Sequence, residues 1–310
     1  MTTAFVLKLK PEISLVEDSD QGPAMTTPST RLDLSHLSPS LLASLRSLSQ
    51  GGATEAELSQ GILETGGFAE LPKFYFFLTK FVRMGSICYA LYEARAEVEP
   101  QAEVEPQPFA TLIPTTRGVP FQPLVFEAIA LDQPYQLSRL AYCHATDQRM
   151  LLESPTAPAQ IELGDWRGGA IATALAQGKT AQALLDQIPG LTPETVQGFL
   201  SLLLSIGLIS PLTASLTAPE SGAAESEALR QWEFHDLLFH TRSRQGRTSQ
   251  TVGSTYRFRG EIEPLPVIKP QPDDWEKIAL PLPDGAAIAA QASGGIAQRD
   301  PGFWDVLQSR

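Results

Sequence analysis

One segment of this 310-residue chain occurs twice. Phe74, Phe77, Leu78, Phe81 and Val82 follow the i, i+3, i+4, i+7, i+8 spacing of a helix with one buried stripe, and Gly85 and Ile87 close it. The template returns 122 positions later as Val196, Phe199, Leu200, Leu203 and Leu204, then Gly207 and Ile209. Glycine is the usual residue just past a helix, because it takes the left-handed conformation at little cost. Upstream, "RLDL" (31–34) and "QIEL" (160–163) read as short strands, and "LSQG" (48–51) and "LAQG" (175–178) each close a first helix. Thr54 and Thr180 are expected to N-cap a second helix. Ser38-Pro39 and Thr192-Pro193 each put a hydroxyl before a proline whose missing N–H costs nothing at the first helical position. Strand, three helices, then strands is the order of a winged helix, so the expected class is α+β, with tandem winged-helix-like domains and antiparallel hairpins.

AFVLKLK and EISLVED alternate and predict an N-terminal hairpin; YQLSRLAYCHA and QRMLLES predict another across "TD". SICYALYE and the stretch after Ile209 are expected to form wings. The domains expected are 1–95 and 109–212, separated at 96–108 by the acidic duplication "AEVEPQAEVEPQ", read as an extended surface insertion. A Pro-rich connector follows over 213–300. Asp300-Pro301 then opens a helix at 301–310 with Phe303, Val306 and Leu307 on one face.

With 43% hydrophobic and 19% charged residues, the chain reads as globular and soluble. The apolar run at 199–209 is too short to cross a bilayer, and MTTAFVLKLK lacks the pattern of a signal peptide, so a cytoplasmic protein with no membrane partner is expected. Cys88 and Cys143 sit in alternating apolar stretches and read as buried core thiols. A net charge of -12 argues against nucleic acid as the partner. Moreover, 194–206 in the second copy has no Lys or Arg, and Lys73, Lys80 and Arg83 in the first lie among aromatics.

A winged helix can instead take an extended peptide as an added strand, with apolar side chains in the groove beside the third helix. Tyr75 and Phe76 lie off the buried stripe and are candidates for that contact, with Lys80 and Arg83 meeting an acidic ligand. Alternatively, both aromatics pack on the N-terminal hairpin or the other domain. No P-loop, dinucleotide fingerprint or nucleophile elbow occurs, and no residue reads as catalytic. His235 and His240, five apart, do not share a helix face, so no metal is expected. Arg242, Arg244 and Arg247, with Arg257 and Arg259, fall in an acid-free stretch that reads either as a surface for anionic groups or as a solvated turn.

That stretch carries a family resemblance. "WEFHDLLFHTRSRQGR" (232–247) followed by "GSTYRFRGEIEPLPVIKP" (253–270) resembles the connector of SagB-type dehydrogenases of the cyanobactin and streptolysin-S kind. These are flavin enzymes that oxidise azoline rings in ribosomal peptide natural products. The similarity continues in FVLKLKPEISLVED, PYQLSRLAY, LLESP and the proline-rich tail after Ile262. Thr248 departs from the pattern, where histidine is expected, so the resemblance assigns no proton chemistry to this stretch.

The resemblance implies that the N-terminal part recognises the leader of a precursor peptide. It implies that a nitroreductase-like domain binds FMN, forms a homodimer and does the chemistry. Only the start of that domain is expected here, with Arg310 at the first arginine of the FMN-phosphate motif, so this chain alone is expected to be inactive and FMN-free. His235, His240, Arg242, Arg244 and Arg247 would then form an interface between the two halves or within the dimer. The other reading is a free-standing protein that delivers a precursor peptide to separate enzymes.

Overall fold

The computed structural model describes residues 5–18, 22–27, 30–93, 107–116, 123, 126–212, 227–244, 259–263, 265, 266, 274 and 276. Contacts divide the chain into a unit Met1–Thr255 and a unit Tyr256–Arg310. In the latter, Arg259 and Ile262 form a β-bridge.

In the larger unit the duplication extends beyond the helices. The first repeat runs β1 (Val6–Leu9), β2 (Ser14–Asp18), β3 (Gly22–Thr27), β4 (Thr30–Asp33), α1 (Pro39–Gln50), β5 (Ala53–Thr54), α2 (Glu55–Gly66), α3 (Leu71–Arg83) and β6 (Ile87–Leu91). After β7 (Ala110–Pro114) the order returns as β8 (Pro134–Leu137), β9 (Tyr142–Thr146), β10 (Arg149–Glu153), β11 (Ala159–Leu163), α4 (Trp166–Leu175), β12 (Lys179–Thr180), α5 (Ala181–Gln187), α6 (Pro193–Ser205) and β13 (Ile209–Pro211). Helices α7 (Glu227–Arg230) and α8 (Phe234–Ser243) follow.

The caps act as their chemistry requires. Glu57 N–H donates to Thr54 Oγ1 at 3.2 Å while Thr54 N–H donates to Glu57 Oε2 at 2.8 Å, and Ala183 N–H donates to Thr180 Oγ1 at 3.0 Å. Each such cap stabilises its helix by about 1 kcal/mol. Gly85 and Gly207 take φ of 68° and 72°, the left-handed turn that ends α3 and α6 alike.

The pairing of strands differs from the expected N-terminal hairpin. β1 does not pair with β2: it lies between β5 and β6, where Leu7 and Leu9 enter the core, and β2 pairs with β3. Alternation shows which face of a strand is buried and leaves its neighbour open. β8 likewise lies between β12 and β13. The expected hairpin within 135–154 is therefore β9–β10 alone, turning through Asp147 and Gln148 at φ 47° and 64°.

Three strands of the first repeat, the connecting strand β7 and three strands of the second form one seven-stranded sheet in the order β5-β1-β6-β7-β11-β10-β9, joined where β7 pairs with β11. Most of the AEVEPQ duplication falls outside the described residues, in the connection from β6 to β7. β2-β3-β4 and β12-β8-β13 form two smaller sheets. No helix among the described residues is long and apolar enough to cross a membrane.

The core includes both repeats. Gly198 on α6 faces Leu91 of β6 and Phe126, whose ring meets Phe5 at 4.9 Å. A Cβ at 198 would lie 2.7 Å from Leu91 Cδ1 and 2.8 Å from Phe126 Cζ. Of the cysteines, Cys88 is buried and its thiol is pushed up to about 12 by that burial, whereas Cys143, on the edge strand β9, is exposed. The expectation of two buried thiols is thus corrected for Cys143: on β9 the alternate residues Cys143 and Ala145 are exposed, whereas Tyr142 and His144 on the opposite face are half-buried.

Two outcomes check this packing. Gly198→Val should cost about 1–3 kcal/mol, seen as a lower urea midpoint; an unchanged midpoint would contradict the close contact. Thiol titration of the native chain should modify Cys143 first and Cys88 only on unfolding.

Candidate functional site

Helix α3 presents two different faces. Phe74, Leu78 and Phe81 are buried and Phe77 is half-buried. On the outer side Phe76 is 64% exposed, with Lys80 and Arg83 exposed at i+4 and i+7. Tyr75 turns towards α2, its hydroxyl 2.9 Å from Ser59 Oγ. The structure therefore brings Phe76, Lys80 and Arg83 onto one solvent face and sets Tyr75 beside it. Phe68, in the turn before α3, is 80% exposed and adds to the apolar surface of this repeat.

None of those four residues lines the apolar pocket, which lies on the other side of α3. Leu37, Leu41 and Leu45 face Phe74, Phe77 and Phe81 across a small apolar cleft of about 20 Å³ that opens to solvent. By spacing alone these leucines are indistinguishable from a core stripe. The pocket exists because the stripes of α1 and α3 do not fill the space between them, a property of two helices together. Leu37, Leu41, Leu45 and Leu48 at helical spacing were the available signal.

Of the basic stretch, His235, His240 and Arg242 lie on α8 with Arg244 at its C-cap, and Arg242 is anchored within its own unit. Arg242 donates from Nη2 to Glu153 Oε2 and, at 3.0 Å, to the Tyr142 hydroxyl. That hydroxyl donates to Glu153 Oε2 at 2.9 Å, and His144 Nε2 lies 2.8 Å from Glu153 Oε1. The Glu153 side chain is only 6% exposed, so these partners stabilise a buried carboxylate. Burial pushes the Tyr142 phenol above its ordinary range, against the opposing effect of the bond from Arg242. Arg139 holds the start of this segment through the carbonyls of Leu229 (2.9 Å) and Trp232 (3.2 Å).

Of the expected interface residues, Arg242 thus has an anion inside its own unit. His240 lies against Trp232 with ring centroids 5.0 Å apart and 3.2 Å from Arg244 Nη1, and His235 is exposed. Arg247 and Thr248 lie outside the described residues.

A further knot joins the repeats. Arg167 donates to Asp165 Oδ2 and Glu93 Oε2, each at 2.7 Å, and to Gly190 O at 2.6 Å. The hydrogen bonds that it donates to Asp165 and Glu93 hold the guanidinium above its usual value, and Arg167 holds Asp165 below the usual carboxylate range. No sequence signal marked this set, since its members are 74 and 2 residues apart.

The pocket between α1 and α3 does not fit a flavin mononucleotide: its lining is eight apolar residues and Ser44, with no cation for a phosphate. Arg310 lies outside the described residues.

Arg242→Leu should remove about 1–3 kcal/mol by leaving Glu153 short of a partner, and should speed proteolysis within α8. Arg244→Leu, at an exposed site, should change the urea midpoint little. Equal effects of the two would contradict the Glu153 anchor.

Comparison with known protein families gives two matches. Residues 1–122 match the ThcOx helix turn helix domain, and residues 135–249 match the cyanobactin oxidase ThcOx model. A search of curated proteins finds no match. The first match spans the first repeat with β7, and the second runs from β8 through α8, so the boundary between them falls at the junction of the repeats. On both matches, taken with the tandem winged-helix-like architecture, the chain belongs to the cyanobactin oxidase family.

Proposed function

We propose that these residues recognise the precursor peptide for an FMN-dependent oxidase that converts thiazoline or oxazoline rings to thiazole or oxazole in cyanobactin biosynthesis. One observation carries this reading: a solvent-open apolar pocket beside the third helix of the repeat that matches the helix-turn-helix domain. An apolar cleft beside a recognition helix suits alternate side chains of an extended peptide. Major-groove binding would instead need a basic, polar helix.

The oxidation removes a proton and a hydride from the ring, and bound flavin supplies the hydride acceptor. No step of it is assigned to the described residues. Lys80 and Arg83 on the outer face of α3 steer the acidic part of the peptide, with Phe76 and Tyr75 offering apolar contact beside them. The basic residues after Arg242, including Arg244 and Arg247, serve contacts with the flavin domain or within its dimer.

A fluorescein-labelled leader peptide of a cyanobactin precursor should bind the 310-residue chain with saturable anisotropy. Lys80→Glu with Arg83→Glu should weaken it roughly tenfold, about 1.4 kcal/mol, with the difference shrinking as salt is raised. Saturable binding of duplex DNA with no binding of the leader would reverse the reading.

A further inference from the structure

We propose that the precursor peptide docks on the first repeat alone, as a strand added antiparallel to β4, because β7 already occupies the corresponding groove of the second repeat. This deepens, and rests on, the peptide-recognition reading above.

The repeats align without gaps over their third helices, α3 (Leu71–Arg83) on α6 (Pro193–Ser205). Their first helices align on the N-caps Ser38 and Asp165, and β4 aligns on β11 through "RLDL" and "QIEL". In the second repeat β7 runs antiparallel to β11, from Ala110 opposite Leu163 to Pro114 opposite Ala159. Just before it, Phe109 drops into the space between α4 and α6: its ring centroid is 5.5 Å from that of Phe199, and it is 2% exposed. A glycine makes that fit: a Cβ at Gly164 would come 2.0 Å from the carbonyl oxygen of Pro108, and Gly168 of α4 lies against the Phe109 ring. The N–H groups of Gly164 and Asp165 both donate to Phe109 O, at 3.0 and 3.2 Å. The second groove is a filled strand-binding site.

Among the described residues, nothing pairs at the same positions in the first repeat. β4 is the edge of its three-stranded sheet. Leu34 N–H donates to Pro23 O at 2.8 Å, so by antiparallel alternation Leu32 bonds inward to β3 while Arg31 and Asp33 direct their N–H and C=O to the free edge. Their counterparts Gln160 and Glu162 direct the same groups to β7, because the bonds Gly164 N–H to Phe109 O and Thr115 N–H to Pro158 O set the same phase there.

Burial agrees with this phase. Ile161 and Phe199 are fully buried, whereas their counterparts Leu32 and Phe77 are half-buried. Phe77 also lines the unfilled pocket, with Leu41 standing where the second repeat has Gly168. Leu41 takes part of the space that an aromatic ring has in the second repeat. The occupant is therefore an extended peptide whose anchor is an aliphatic side chain, and each chain takes one.

The test uses the labelled leader peptide, the whole 310-residue chain and Arg31→Pro. This substitution removes an outward N–H and leaves the bonds between β3 and β4 in place. The expected result is one peptide per chain, at least about tenfold weaker binding by Arg31→Pro, and an unchanged circular dichroism spectrum. A photo-crosslinking version of the peptide, mapped on the unmodified chain, should attach within residues 30–41; this decides the matter if Arg31→Pro does not fold. No binding by the unmodified chain would overturn the peptide-recognition reading itself. Binding with two peptides per chain, with full affinity in Arg31→Pro, or with crosslinks at 159–168 would overturn only the choice of repeat.

Discussion

The pairing of β7 with β11 is the contact on which the rest of the larger unit depends. It turns two three-helix repeats into neighbours on one seven-stranded sheet and buries Ala110, Leu112 and Ile161 completely. Burial of side chains such as Phe109, Leu112 and Ile161 stabilises the joint by about 1.5–3 kcal/mol each. Against this stands the entropy of closing the connection from β6 to β7, which carries the AEVEPQ duplication. Even a doubling of loop length costs only about 0.6 kcal/mol, so the joint tolerates the added segment. The Arg167 knot acts at the same seam, bridging Glu93, two residues past β6, and Asp165, the N-cap of α4.

The helices, most of their caps and the duplication were legible in the sequence because they rest on local signals: a 3.6-residue stripe, a threonine ahead of a helix, a glycine in the left-handed turn. Ser38 is the exception, since its hydroxyl donates to Glu70 Oε2 at 2.6 Å and makes no capping bond to α1. The partners of the strands were not legible. The alternation in AFVLKLK shows that Leu7 and Leu9 share a face, and nothing in it says that β6 lies alongside. Cys143 shows the same limit, since alternation places it in a strand and its exposure follows from which face of β9 the fold covers.

The site was legible in part. The off-stripe position of Phe76 with Lys80 and Arg83 follows from helical spacing, and the structure exposes all three. The pocket escaped notice because it belongs to two helices at once. Glu153, Tyr142 and Arg242 escaped for a similar reason: 89 residues separate the carboxylate from its guanidinium, and only the fold makes a neutralised cluster of them. The charge of Arg242 is thus answered inside the fold and not by solvent alone. The fold also separates roles within the duplication, since one copy uses its groove to hold the chain together and the other leaves its groove open.

Residue-resolved amide hydrogen exchange, with and without a cyanobactin leader peptide, tests that division most directly. The account predicts that the amides of Gln160 and Glu162 are protected in the free chain, whereas those of Arg31 and Asp33 exchange fast and become protected only when the peptide is added. Slow exchange at Arg31 and Asp33 before addition, or no change there on binding, would contradict it.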